Sequence, residues 1–211
     1  MRFYLLVEGY TEKAGVGHFL KRWLDARLES PVSIRAIRHD GWGQLDRDME
    51  PKVKLLLSTG ANQDKVAGVL ALMDLYGPTI YPENKKTAKQ RYEWGRDHFE
   101  KRINDPRFRM FFAVHEIEAW LLSDPSLFPS DVRKALPAKI SKPEEVNFNE
   151  PPAKLLDRIY KKSAHGKNAY NKVGDGTAMF AKLNPEVAYE KCPYLKLMLD
   201  EMLELAKAAG N

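Results

Sequence analysis

Arg2-Phe3-Tyr4-Leu5-Leu6-Val7-Glu8-Gly9-Tyr10-Thr11-Glu12 is the stretch on which the reading of the fold turns. An apolar run of strand length that ends at once in an acid and a glycine reads as a strand buried on both faces, as in a parallel sheet. Thr11 then offers a hydroxyl suited to an N-cap. Beyond it Val16, Phe19, Leu20, Trp23, Leu24 and Leu28 recur at helical spacing as far as Ser30-Pro31. A strand that leads straight into a helix is the opening unit of an alternating α/β chain.

The pattern repeats outward from there. Val32–Arg38 alternates apolar and polar side chains, as a strand does, and the loop His39-Asp40-Gly41-Trp42-Gly43 closes it. Leu45, Met49, Val53, Leu56 and Leu57 give a second helical period before Thr59-Gly60. Val66–Leu72 is another continuous apolar run, ending in Met73-Asp74. A loop rich in Pro and Gly follows (Tyr76 to Pro82), then a charged helical stretch from Thr87 to Ile103, a fourth strand at Met110–Val114 and a helix over Glu116–Leu122. Such alternation predicts an α/β fold: a mostly parallel sheet with helices on both faces. From Asp124 on, prolines at 125, 129, 137, 143, 151, 152, 185 and 193 divide the chain into short helical pieces, ending in an amphipathic helix over Tyr194–Ala208. The division expected is an α/β core over 1–123 and a helical C-terminal extension over 124–211, packed on that core.

With 211 residues, 44% of them hydrophobic and 30% charged, and with no biased tract, the chain has the composition of an ordinary globular protein. Disorder, collagen and coiled coil are excluded. The longest apolar runs, Val69–Leu75 and Met110–Val114, fall well short of the roughly 18 residues that a membrane-spanning helix needs. Glu8 interrupts the first apolar run too early for a secretory leader. The single cysteine, Cys192, can form neither an intramolecular disulfide nor a cysteine zinc site, so a reducing, cytoplasmic setting is expected.

Charge is unevenly spread. The net charge is +5, but residues 84–109 and 131–172 both carry more Lys and Arg than Asp and Glu, and the remainder of the chain is net acidic. Segregation of this kind suits a phosphate-rich partner such as DNA or RNA, although a solvated basic face that binds nothing has the same signature.

Ligands of open parallel sheets sit outside the carboxyl ends of the strands. Glu8, Asp74 and His115-Glu116 all fall at such ends. Each acid also has a structural reading: Glu8 as a helix cap, Asp74 as a turn former, and Glu116 and Glu118 as a helix first turn favoured by the dipole. Glu12, at the start of the first helix, reads as structural. Together, carboxylates converging at one sheet edge repel one another unless a cation lies between them, and Mg²⁺ (or Mn²⁺) suits that gap. Lys154, Arg158, Lys167 and Lys172 are candidate cations toward a phosphoryl group, and no spacing rule chooses among them. The chain has no Walker loop, no G-x-G-x-x-G after the first strand, no G-x-S-x-G elbow and no H-E-x-x-H helix.

Val7-Glu8-Gly9-Tyr10-Thr11-Glu12, followed by an apolar strand ending in Asp74, resembles the Toprim domain of primases, topoisomerases and OLD-type nucleases. More closely, the chain is similar to family 4276 of the domains of unknown function, small stand-alone Toprim-like bacterial proteins. That family's V-E-G-x-T-E pattern matches Val7 to Glu12, its D-x-Y-G matches Asp74 to Gly77, and its H-E-x-E-A matches His115 to Ala119. Pro152-Ala153-Lys154 with Arg158-Ile159, Tyr170-Asn171-Lys172 with Gly176, and Cys192-Pro193 match as well, so the resemblance runs along most of the chain. The wider Toprim superfamily has D-x-D after its third strand. Here Tyr76 stands at the second aspartate position, which leaves Glu116 or Glu118 to take the place of the missing ligand.

The resemblance implies a Toprim-like, Rossmann-like core and a Mg²⁺-dependent nuclease. Glu8 would be a metal ligand or general acid/base, Asp74 a ligand, Glu116 or Glu118 a second-site ligand, and Lys172 the cation that stabilises the transition state. Lys154, Arg158 and Lys167 would hold the nucleic-acid backbone. Similar family members often sit beside ATPase genes. The alternative it implies is therefore a non-catalytic or nucleotide-binding partner of an ATPase, acting in phage defence. A receiver-like phosphoacceptor at Asp74 ranks last, because an acidic pair does not follow the first strand.

Overall fold

Successive side chains of a strand point to opposite faces, and along three of the four strands of this protein both faces are apolar. In β1 (Arg2–Val7), Phe3, Leu5 and Val7 pack into one core cluster, whereas Tyr4 and Leu6 pack into another. β3 (Val66–Asp74) and β4 (Phe108–Ala113) divide in the same way. With β2 (Ser33–Arg38) they form one four-stranded sheet in the order β2-β1-β3-β4, and every neighbouring pair is parallel. A computed structural model of the chain describes residues 1–59, 65–145, 150–163 and 169–210.

The α/β class and the parallel sheet expected from the alternation are therefore present. α2 (Trp42–Thr59) and α3 (Ala88–Ile103) cover one face, through Leu45, Met49, Val53, Tyr92 and Phe99. α1 (Gly17–Asp25), α4 (Glu118–Leu122) and the later helices cover the other. Those later helices are α5 (Ser130–Ala135), α6 (Pro152–Lys162), α7 (Gly174–Lys182), α8 (Pro185–Lys191) and α9 (Pro193–Ala208). Phe19 of α1, Trp120 of α4 and Phe180 of α7 meet with ring centroids 5.9–6.4 Å apart, so helices from both ends of the chain share one core. Among the described residues, no helix is long and apolar enough to cross a membrane.

Three local departures from the sequence reading bear on the site. α4 begins at Glu118 and not at Glu116, so Glu116 lies in the connection between β4 and α4. β3 runs two residues further than the apolar run, so that Asp74 itself is its last residue. After β1, Tyr10 and Thr11 are already helical, and the next turn is a widened π-helical one over Glu12–Val16 that leads into α1. Thr11 therefore makes no side-chain cap. A cap residue needs extended backbone, and Thr11 has helical angles (φ −63°, ψ −44°). α3, by contrast, begins in a full capping box, with Thr87 accepting from the Gln90 N–H and the Gln90 side chain accepting in return.

The strand order fixes where chemistry can gather. β1 passes to β2 on one side and β3 lies on its other side, so the chain reverses direction between β1 and β3, the position at which open α/β sheets hold ligands. Val7 lies beside Leu72, and Asp74 beside Ala113. The segments that begin at Glu8, end at Asp74 and follow Ala113 thus leave the sheet side by side at one edge.

Candidate functional site

At that edge the Glu8 carboxylate accepts the Asp74 backbone N–H (2.7 Å). The Asp74 carboxylate accepts the Ile117 N–H through Oδ1 (3.1 Å), which ties it to the first turn of α4. Its Oδ2 faces the Lys172 ammonium at 3.5 Å, and Glu118 Oε2 lies 3.3 Å from the same Nζ. Glu116 turns toward α6, where its Oε2 accepts the Ala153 N–H (2.8 Å). Three strand ends therefore supply four acids, and one lysine from the loop before α7 enters among them.

A fifth acid belongs to the group although its sequence position reads as structural. The widened turn brings the Glu12 carboxyl back over Gly9, and a Cβ built on Gly9 would lie 2.2 Å from Glu12 Oε2. A side chain at position 9 would displace the Glu12 carboxyl from this position. The sequence signal was the Gly9 between two glutamates four residues apart. It was missed because an ordinary helix start need not put the two acids on one face. Thr11, freed from capping, donates its hydroxyl to the Lys172 carbonyl oxygen (2.9 Å) and so holds the lysine's backbone against the start of the first helix.

These groups are largely withdrawn from water, and burial raises every one of the five carboxyls. Burial, then the charge of Asp74, pushes Glu8 up to about 8. The same two causes in the same order push Glu12 up to about 7. Glu118 rises to about 8, chiefly by burial, with Asp74 and Glu116 adding to the rise and Lys172 opposing it. Burial also raises Asp74 and Glu116. Burial alone would pull Lys172 down, but Asp74, Glu118, Glu116 and Glu12 outweigh it and hold the ammonium above its ordinary range. Glu12 Oε2 and Glu118 Oε1 are buried without a hydrogen-bond partner, a condition that native proteins rarely leave without a reason, and Glu118 Oε2 has its ion pair with Lys172.

Oxygen donors of this kind, some of them unsatisfied, fit a hard divalent cation in chemistry. In arrangement they surround an ammonium. Among the described residues, no three His, Cys, Asp or Glu side chains are placed so that they could hold one ion. Lys172 would have to move aside for Asp74 and Glu118 to share a metal.

The remaining candidates differ in how they relate to this centre. Lys154, exposed on α6 next to Ala153, acts on Glu116 by its charge. Arg158 pairs with Glu150. Lys167 lies outside the described residues. Tyr76, at the D-x-D position, donates its N–H to the His115 carbonyl oxygen (2.9 Å). His115 is held down to about 4, by burial first and then by the Arg91 charge. A surface hollow of about 1160 Å³ runs past His115, lined by four lysines, Lys86, Lys89, Lys142 and Lys191, and by three acids, Glu144, Glu145 and Glu190. Both basic segments contribute to it, but many of their cations are already paired: Lys89 with Glu93, Lys142 with Glu145, Arg96 and Arg109 with Glu201, Arg102 with Asp46, and Lys161 with Asp157.

The family model described as "Domain of unknown function (DUF4276)" matches residues 7–203. This chain belongs to the DUF4276 family. The resemblance drawn from the motifs is thereby borne out at the level of the family, and the acids and Lys172 described above all lie within the matched span. Two solved structures are similar to this DUF4276 chain. One is the C-terminal region of the Burkholderia pseudomallei OLD protein, at 16% identity and a TM-score of 0.48, covering 99% of this chain and 98% of that one. The other is the C-terminal region of the Xanthomonas campestris pv. campestris OLD protein, at 16% identity and a TM-score of 0.44 with the same coverage. No curated protein matches the sequence.

Proposed function

We propose that this DUF4276 protein is a divalent-metal-dependent phosphodiesterase acting on nucleic acid. The observation that carries the reading is the group of buried acids Glu8, Glu12, Asp74, Glu116 and Glu118 around Lys172, with carboxylate oxygens left unsatisfied at the switch point of a parallel sheet. Withdrawing five acids from water costs stability more often than it adds it, and strongly perturbed carboxyls mark candidate sites.

Mg²⁺ or Mn²⁺, when bound, supplies an activated water and offsets charge on the phosphoryl oxygens. Glu8, Asp74, Glu116 and Glu118 are the residues that would hold it. Glu12, pushed up to about 7, exchanges protons near neutral pH and can take one from an attacking water or give one to a leaving oxygen, and Glu8, pushed up to about 8, can do so where it does not hold the metal. Lys172, freed from Asp74 and Glu118, would pair with the charge that develops on the phosphoryl group. Lys86, Lys89 and Lys142 along the hollow, with Lys154, Arg158 and Lys167, would hold the backbone without reading sequence. In this division of labour residues 1–123 supply the carboxylates and the segment 124–211 supplies the cation. A cytoplasmic setting is part of the same reading.

The test is calorimetric Mn²⁺ titration, with cleavage assays, on the wild type and Asp74→Asn. The amide nearly preserves shape while it removes one charge. Mn²⁺ binding and cleavage should be lost from a protein that still folds, with a melting temperature equal to the wild type's or higher. Unchanged Mn²⁺ binding in Asp74→Asn would remove the proposed site. The position of Lys172 in the gap favours a second reading, in which its ammonium is the permanent counter-ion and the protein is a non-catalytic or nucleotide-binding partner of a defence ATPase. That reading predicts no Mn²⁺ binding by the wild type.

A further inference from the structure

The rim of the acidic centre carries an aromatic side chain that packing does not require. Tyr10, between Glu8 and Glu12 in the chain, is 57% exposed, the most open of the large hydrophobic side chains among the described residues. The Arg38 guanidinium lies 4.1 Å from its ring centroid. Arg38 is aligned with Val7 across β1 and β2, so the pair stands at the carboxyl edge one residue from Glu8. Asp40 pairs with the guanidinium and fixes it on its side of the ring. Val173, 48% exposed, directly follows Lys172, so these two open apolar side chains are chain neighbours of the residues joined by the Thr11–Lys172 hydrogen bond. The loop beside Glu8 leaves room as well: a Cβ added at Gly41 or Gly43 would meet nothing within 4 Å.

A flat π-faced group that carries a phosphate fits such a rim, with the ring on Tyr10 and the phosphate turned inward to the carboxylates. We propose that Tyr10, backed by Arg38, is a stacking platform for an unpaired nucleobase, so that the protein takes single-stranded nucleic acid in preference to duplex. The inference rests on the phosphodiesterase reading for the direction in which the phosphate points. Base–aromatic stacking tolerates any sequence because every base has a π-face. A base inside a duplex already has both faces covered and reaches Tyr10 only by unstacking. The depth of the centre argues the same way: the Asp74 side chain is 12% exposed and Glu118 is fully buried, so a phosphate must descend toward them, which a flexible strand does more readily than a stiff duplex.

The experiment is fluorescence anisotropy in metal-free buffer at low salt, with a labelled oligothymidylate of about a dozen nucleotides and a duplex of the same length. Wild type, Tyr10→Ala and Tyr10→Trp are compared, and circular dichroism melts confirm that each folds. Tyr10→Ala should weaken single-strand binding about tenfold or more, Tyr10→Trp should retain it, and duplex binding should not change. Equal losses on both substrates, no loss on the single strand, or no single-strand binding by the wild type would overturn the proposal. Mn²⁺-dependent cleavage of the same oligonucleotide tests the underlying reading separately. Tyr10-dependent binding without cleavage leaves the platform standing and removes the enzyme, whereas cleavage with binding indifferent to Tyr10→Ala removes only the platform.

Discussion

The two ends of the sheet treat charge in opposite ways. At the amino end, Arg107 and Asp105 pair at 3.3 Å with both side chains partly in water, and neither depends on the other to remain ionised. At the carboxyl end, Glu8, Glu12, Asp74, Glu116 and Glu118 share one cation, and the acids rise in pKa because water is excluded and, for all but Asp74, because neighbouring acids add to the rise. Exposed pairs are worth about 0–1 kcal/mol. Buried ones count in both directions, since breaking one leaves a charge that neither water nor protein compensates. The difference teaches where this fold gives up stability: at the edge where parallel sheets bind ligands, and not at the other.

The largest effect should come from Lys172→Met, which keeps the length of the side chain and removes its charge. Loss of one partner from a fully buried pair costs about 3–5 kcal/mol. Lys172 is 40% exposed on its side chain, so about 1–3 kcal/mol is expected at pH 8. The deficit should shrink at pH 5.5, where Glu8, Glu12 and Glu118, raised to about 8, 7 and 8, carry their protons and need less of a counter-ion. Urea unfolding at the two pH values measures it. A variant as stable as the wild type at pH 8 would mean that the acids do not depend on Lys172.

Much of the carboxyl end could be read from the sequence, because the signal was local. A continuous apolar run that stops at an acid is visible in one dimension, so β1 ending at Glu8 and β3 ending at Asp74 were placed within two residues. His115-Glu116 and Glu118 followed from the same logic. What could not be read depends on pairs far apart in the chain. Arg96 and Arg109 look like part of a phosphate-binding surplus until Glu201 is found beside both, and Arg102 until Asp46 is. Counting charge along the sequence cannot register partners that only α9 and α2 bring in. Glu12 escaped for a different reason, since a widened first turn has no residue pattern of its own and an ordinary N-cap at Thr11 was the default expectation.

An intermediate effect is expected from pH alone. Glu8, Glu12 and Glu118 have folded values of about 8, 7 and 8, each raised from an ordinary 4.5. Between pH 4.5 and 8 the folded state therefore binds more protons than the unfolded one, so stability is fully present below that window and falls as pH rises through it. The acids titrate as a coupled set, and the fall should be broad. Thermal melts in EDTA should thus show a lower melting temperature at pH 8 than at pH 5.5. On the metal reading, Mn²⁺ should restore more at pH 8, where it competes with fewer protons. A melting temperature that rises from pH 5.5 to pH 8 in EDTA would show that the acids are not held protonated.

The smallest effect belongs to the amino end. Slight burial would raise Asp105, but the Arg107 N–H and guanidinium outweigh it and hold the carboxyl below its ordinary range. That stabilisation is present at neutral pH and is lost only as pH falls through the lowered value. Arg107→Ala removes the guanidinium and leaves two backbone bonds in place: the residue 107 N–H to Asp105 Oδ1 (2.9 Å) and the Val69 N–H to the residue 107 carbonyl (3.0 Å). With the backbone closure intact and the lost pair half in water, the change should stay within about 0.5 kcal/mol. It should be equal at pH 5.5 and pH 8 and indifferent to Mn²⁺, because nothing at this end waits for a cation. A loss at Arg107→Ala that matches Lys172→Met, or that responds to Mn²⁺, would mean that the electrostatic demand is a property of the whole sheet and not of its carboxyl edge.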